Sequence, residues 1–301
     1  MKHKEWLHIN LFVWIFFIGL TNELMAQQNQ PIKGFMSFEG QQREYIYFAP
    51  NGLKKNTPLV VVLHGFTSSA EKIMNYSHFN ELAGKHQFAV VYPQGSMDEK
   101  GNTFWNVGYD FHKNSKVNDT GFLISLIKTI QNEHELSAEN TFLTGMSNGG
   151  EMTYLLGCMY PDHFKAIAPV AGTMFTNFFD QCISIRNTPV LAIFGTKDDV
   201  TRYNGDPENE DGWGVYKSIP DIIEYWAQAI DFDKTSQSKL KDLDTSDGSQ
   251  VIKSKYENSQ NGNQVLFYQV IGGGHEWPGA WGNKDIDATE EIWAFFNSYV
   301  L

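Results

Sequence analysis

The sequence predicts an α/β protein with a mostly parallel central sheet and helices on both faces. Two observations predict it. Residues 59–63 (LVVVL) and 88–92 (FAVVY) are unbroken apolar runs, the pattern of strands covered on both sides. Runs of this kind alternate along the chain with segments of helical periodicity, which implies strand–helix–strand crossovers.

The elements follow in order. Residues 43–48 (REYIYF) alternate and read as an antiparallel strand at one edge. Residues 59–63 end in His64-Gly65, residues 69–85 read as a helix, and Pro93 stops the strand at 88–92. Asp119 stands where it would cap a helix running to about 136, with Phe122, Leu126 and Ile130 on one face. A strand at 141–144 (TFLT), a turn and a helix over 148–160 come next, then strands at 166–170 (AIAPV) and 190–194 (VLAIF). Residues 219–230 read as a helix. Residues 250–256 and 264–270 flank Asn261-Gly262, a hairpin signal. Residues 288–299 form a closing helix.

The first stretch stands apart. Lys2 and Lys4 precede an apolar run at 11–20 (LFVWIFFIGL), and Leu24-Met25-Ala26 offers a cleavage point. That order reads as a secretory signal peptide over 1–26, leaving 27–301 as one α/β domain. The run is short for a membrane span, so no stable anchor is expected after cleavage. The alternative is an uncleaved anchor. Lys plus Arg is 23 against 35 Asp plus Glu, a formal charge of −12. That balance argues against nucleic acid as a partner and against strongly anionic polymers as substrates. Export would place Cys158 and Cys182 in an oxidising compartment, where a pair can close a disulfide. The alternative is two small buried apolar residues.

The strongest local signal is Gly145-Met146-Ser147-Asn148-Gly149, between a strand and a helix. A serine at such a turn takes a strained backbone that lifts its hydroxyl above the sheet, as in the α/β-hydrolase fold. Ser147 is therefore the candidate nucleophile, and the Asn148 amide points at the developing oxyanion. A serine hydroxyl needs a base. Chain order in this fold is Ser, acid, His. His275, after Gly272-Gly273-Gly274, is the candidate, since His163 lies too soon after the nucleophile. Asp198 and Asp199 both follow the strand at 190–194, and adjacency does not decide between them. The second oxyanion amide belongs to the loop after His64-Gly65, with Phe66 first and Thr67 as the alternative. His64 itself more naturally shapes that loop. His275-Glu276-Trp277-Pro278-Gly279 lacks the second histidine of a zinc helix. Asp242, Asp244, Asp247 and Gly248 are out of register for calcium. No metal and no cofactor are expected.

With these residues in place, the chain resembles the polyhydroxybutyrate-depolymerase-like esterases, a group that includes feruloyl and acetylxylan esterases of carbohydrate esterase family 1. The resemblance runs from about Phe35 to the end. It rests on Leu63-His64-Gly65, Tyr92-Pro93-Gln94-Gly95, Trp105-Asn106, Asn118-Asp119-Thr120-Gly121-Phe122, Gly145 to Gly150, residues 164–172 (FKAIAPVAG), Gly195-Thr196-Lys197-Asp198 and residues 272–279 (GGGHEWPG). It implies Asp198 as the acid, since the family's acid follows Gly-Thr-x. It also supports the Cys158–Cys182 bridge. Phe194 and Thr201-Arg202-Tyr203 depart from the family's usual His and Val-Pro-Tyr. The expected activity is a secreted serine ester hydrolase working through an acyl-enzyme on feruloyl or acetyl esters of plant polysaccharide, with hydroxyalkanoate oligomers as the alternative. A secreted peptidase and a non-catalytic carbohydrate-binding protein are the other classes. Turnover of a short nitrophenyl ester separates a catalyst from a binding module. Trp105, Trp213 and Trp277 are candidates to stack on an aromatic acyl group or a sugar, against core packing as the plain alternative. Tyr203, Trp213, Tyr216 and Trp226 make the segment between acid and base rich in aromatic residues, a candidate substrate wall.

Overall fold

A computed structural model describes residues 30–179, 182 and 188–301; the expected signal peptide lies outside the described residues. The strands are β1 (Ile32–Phe38), β2 (Gln41–Phe48), β3 (Leu59–Leu63), β4 (Ala89–Pro93), β5 (Ser96–Met97), β6 (Thr103–Phe104), β7 (Thr141–Met146), β8 (Ala166–Val170), β9 (Val190–Gly195), β10 (Lys234–Lys239), β11 (Gln250–Glu257) and β12 (Gln264–Ile271). The helices are α1 (Ala70–Ser77), α2 (Phe79–His86), α3 (Asp119–Glu133), α4 (Asn148–Met159), α5 (Thr176–Phe179), α6 (Ile219–Ala229) and α7 (Ala288–Asn297).

Ten strands form one sheet in the order β1-β2-β4-β3-β7-β8-β9-β12-β11-β10. The middle six, β4 to β12, run parallel. An antiparallel pair extends each side. Strand pleating explains the apolar runs. Leu59, Val61 and Leu63 enter one core, while Val60 and Val62 enter the other. The first core packs under α3, α4 and α6 through Phe122, Leu126, Leu156 and Trp226. The second packs under α1, α2 and α7 through Ile73, Phe79, Ile292 and Phe296. The central strands β3, β4, β8 and β9 are thus sealed on both faces, and neither face needs polar residues.

Three local expectations are corrected. The helix expected over 69–85 is two helices, because His78 takes a left-handed φ of 54° between them. Asp119 is not the cap of α3. Asn118 is, accepting from the Gly121 amide at 3.0 Å. Asp119 instead turns inward, buried, where Oδ1 meets the Arg43 guanidinium at 2.7 Å and Oδ2 accepts from the Asn106 amide at 2.8 Å. Finally, β1 and β10 extend the sheet beyond the strands expected from pattern. β10 is exposed along its whole length. No helix among the described residues is long and apolar enough to cross a membrane.

Candidate active site

The site sits at the carboxyl ends of β7, β9 and β12. Ser147 is the single residue between β7 and α4, at φ 56° and ψ −122°. The sheet hydrogen bonding reaches it, since its amide donates to the Val170 carbonyl at 2.9 Å. The flanking glycines are required by space. A Cβ on Gly145 would run into the Gly149 carbonyl, and one on Gly149 would run into the Leu63 carbonyl. The turn can form only where three backbone segments touch, and only glycine permits that.

His275 reaches the same place from β12. Gly272 carries a positive φ of 80°, and its amide donates to Thr196 Oγ1 at 2.9 Å. A Cβ on Gly195 would collide with the carbonyls of Gly273 and Gly274. Gly195-Thr196 therefore serves as a bed for the histidine loop. The serine and histidine motifs do not reveal this role; the Gly-Thr pair just before Asp198 is its signal in the sequence. Lys197 pins the loop further by donating its amide to the Gly273 carbonyl at 2.8 Å.

Of the two adjacent aspartates, Asp198 is buried and Asp199 is exposed. Asp198 Oδ2 lies 2.8 Å from His275 Nδ1. Its Oδ1 accepts from the amides of Val200 and Thr201 at 2.9 and 2.8 Å. With both oxygens committed as acceptors, the Nδ1–H of His275 donates, and Nε2 carries the lone pair of the neutral ring. Ser147 and His275 together border two cavities, of about 580 Å3 and about 250 Å3.

The loop after β3 is rigidly held. The Gly95 amide donates to His64 Nε2 at 2.9 Å, so His64 Nδ1–H donates to the Gly65 carbonyl at 2.7 Å. Burial lowers the His64 pKa to about 4, which keeps the ring neutral. The ring thereby fixes the peptide plane that carries the Phe66 N–H. Thr67's amide is taken by the Thr103 carbonyl at 2.8 Å. The amides of Phe66 and Asn148 have no acceptor among the described residues. The Asn148 side chain joins the serine turn to a second loop, accepting from the Trp105 amide at 2.7 Å and donating to its carbonyl at 3.1 Å.

Two of the three candidate stacking tryptophans are not at the surface of the site. Trp105 is fully buried, and its indole N–H donates to the His64 carbonyl at 2.9 Å. Trp277 is fully buried too, packed on Phe79 and bonded to Thr289 at 2.9 Å. Both rings brace loops and cannot stack on a substrate in this arrangement. Trp226 likewise belongs to the core. Trp213 and Tyr216 do border the smaller cavity, while Tyr203 turns to Gln269. Cys158 and Cys182 are joined by a disulfide, which ties the end of α4 to the segment beyond α5.

One further side chain at the site escaped the motifs. Glu151 lies one turn beyond Ser147 in α4, buried, and borders the smaller cavity. Its Oε2 accepts from the Tyr109 hydroxyl at 2.6 Å and from Asn148 Nδ2 at 3.4 Å. Burial raises its pKa to about 7, against the opposing effect of those two bonds.

A strained serine turn at the end of a central parallel strand, facing a histidine loop and a buried aspartate, defines an α/β-hydrolase. An acetyl xylan esterase from Aspergillus awamori superposes with a TM-score of 0.60 at 15% identity, over 90% of this chain and 99% of that one. The chain belongs to the Esterase PHB depolymerase family, whose model matches residues 43–207. Among curated relatives, a bifunctional acetylxylan esterase/xylanase of Neocallimastix patriciarum is 28% identical over 63% of this chain and 26% of its own length. A poly(3-hydroxyalkanoate) depolymerase C of Paucimonas lemoignei is 28% identical over 76% of this chain and 57% of its own length. The chain therefore spans only a quarter to little more than half of these two relatives.

Proposed function

We propose that the protein is an exported serine carboxylic-ester hydrolase acting through an acyl-enzyme, with feruloyl or acetyl esters of plant polysaccharide as substrates. The observation that carries the reading is the Asp198–His275 pair beside Ser147 at the wall of two shared cavities. In this reading the Ser147 hydroxyl attacks the ester carbonyl while His275 Nε2 takes its proton. Asp198 holds the Nδ1–H tautomer and stabilises the imidazolium. The amides of Phe66 and Asn148, which lack acceptors among the described residues, receive the oxyanion. His275 then returns the proton to the departing alcohol, and a water attacks the acyl-enzyme by the same path in reverse.

The named activities of the relatives support the polysaccharide esters. The Paucimonas relative, aligned over more of this chain, favours hydroxyalkanoate oligomers as the second reading. Export is part of the proposal on the strength of the residue 1–26 pattern, as is a single domain over 27–301.

The test measures kcat/KM on methyl ferulate, acetylated xylan, a hydroxybutyrate oligomer and a long-chain nitrophenyl ester, for the wild type and Ser147→Ala. Wild type should favour one of the first two. The variant should fold and lose several orders of magnitude in rate. Retained activity in Ser147→Ala would refute the nucleophile, and a win for the long-chain ester would refute the substrate class.

A further inference from the structure

We propose that the smaller of the two cavities is a hydroxyl-reading subsite, in which Glu151 and Thr173 hydrogen-bond a hydroxyl on the acyl half of the ester and so set specificity. This rests on the ester-hydrolase reading above and deepens it.

The cavity is about 250 Å3, and Ser147 and His275 form part of its wall. An ester held for attack at Ser147 therefore has one of its halves beside or within it. Much of the remaining wall is aromatic, from Tyr109, Phe175, Trp213 and Tyr216. Such a wall suits a compact or planar body. Two polar groups interrupt it, and each has an oxygen with no hydrogen-bond partner among the described residues. Thr173 is fully buried, and its Oγ1 has no hydrogen-bond partner among the described residues. Glu151 is buried, and both of its side-chain bonds among the described residues fall on Oε2, leaving Oε1 free of them.

Buried polar groups without partners are costly and uncommon, and each calls for an explanation. Such a hydroxyl on Thr173, together with a carboxyl oxygen of Glu151 that takes no protein bond, is explained by a ligand group that completes both. An alkyl chain would leave both unmet. A hydroxyl donates and accepts, as does a threonine hydroxyl, and as does a carboxyl near its midpoint. Burial brings Glu151 to that midpoint near neutral pH. The Tyr109 hydroxyl and the Asn148 amide group clamp Oε2, so the carboxyl is oriented before a substrate arrives. Glu151 is also tied to the nucleophile, since its amide donates to the Ser147 carbonyl at 2.9 Å.

The hydroxyl could be phenolic or aliphatic, and the experiment separates the two. Values of kcat/KM are measured for methyl 4-hydroxycinnamate against methyl cinnamate, and for methyl 3-hydroxybutyrate against methyl butyrate. Wild type should prefer the hydroxylated member of at least one pair by about tenfold to a hundredfold, mainly through KM. The pair that responds names the hydroxyl. Thr173→Val removes a hydroxyl that bonds nothing among the described residues, so it should leave the melting temperature unchanged or raise it while reducing the preference severalfold. Glu151→Gln keeps an acceptor for Tyr109 and should also reduce it. Turnover of all four esters with no preference beyond twofold in either pair would overturn the subsite and leave the esterase standing. So would an undiminished preference in both variants. No turnover of any ester would overturn the esterase reading itself, and the subsite with it.

Discussion

Ser147 and Glu151 show what one helical turn carries. The serine holds a backbone conformation that non-glycine residues rarely adopt, at a cost of about 1–3 kcal/mol. The glutamate adds a second cost, because its carboxyl is raised from an ordinary 4.5 to about 7, chiefly by burial. The sign follows from linkage. The folded form holds the proton more tightly than the unfolded chain, so stability from this group is complete below about pH 4.5 and is lost as pH rises through about 7. The full difference is about 3 kcal/mol. Glu151→Gln cannot ionise. The variant's melting temperature minus that of the wild type should therefore increase by several degrees between pH 5 and pH 8. A constant difference across that range would show that Glu151 is not held neutral.

Much of this site was legible at the residue level. The glycines on either side of Ser147, and Gly272 ahead of His275, stand where a Cβ would strike backbone atoms. The choice of Asp198 as partner of His275 was legible only through resemblance, because adjacency leaves Asp198 and Asp199 equal. Trp105 and Trp277 misled because an aromatic residue near a motif looks the same in sequence whether it braces a loop or faces a ligand. Glu151 was readable in principle, as the lone charge in an otherwise uncharged helix (NGGEMTYLLGCM).

Among the elements, α3 is anchored by a charge pair rather than by its apolar face alone. Arg43 on β2 reaches Asp119 at the start of α3, both side chains almost wholly buried, and the guanidinium also lies 3.9 Å from the Phe122 ring centroid. Asp119 extends the anchor to the loop before α3 through Asn106 and Ser96. Removing one partner leaves a buried charge, so Arg43→Met should lose about 3–5 kcal/mol in urea unfolding. A loss below about 1 kcal/mol would mean that Asp119 finds water or takes up a proton without strain. The same elements show which parts of the fold sequence can reveal. The central strands announce themselves because both faces are sealed. β10 (KTSQSK) has no buried face and so no period to detect. The break at His78 depends on a left-handed residue type that commonly sits in helices.

For the molecule as a whole, the Cys158–Cys182 bridge sets a condition on stability. It closes a sequence separation of 24 residues, which corresponds to about 3 kcal/mol on the chain-entropy account. Reduction under non-denaturing conditions should lower the melting temperature by about 6–12 °C, at the 2–4 °C per kcal/mol expected for this size. Calorimetry with and without reductant, alongside a Cys158→Ser/Cys182→Ser double variant, measures it. An unchanged midpoint would show that the linkage constrains nothing the fold does not already hold.

The sheet is open, and its two outer strands are unlike each other. β1 carries the exposed apolar residues Ile32 and Phe35, whereas β10 is polar throughout and ends in a lysine on either side. Polymer growth by strand addition needs two adhesive rims, one for each incoming copy. Here one rim is sealed by solvated lysines that would have to shed their water. Contact along β1 could join two copies and then has nowhere to continue, so β10 acts as a chain terminator against filament formation.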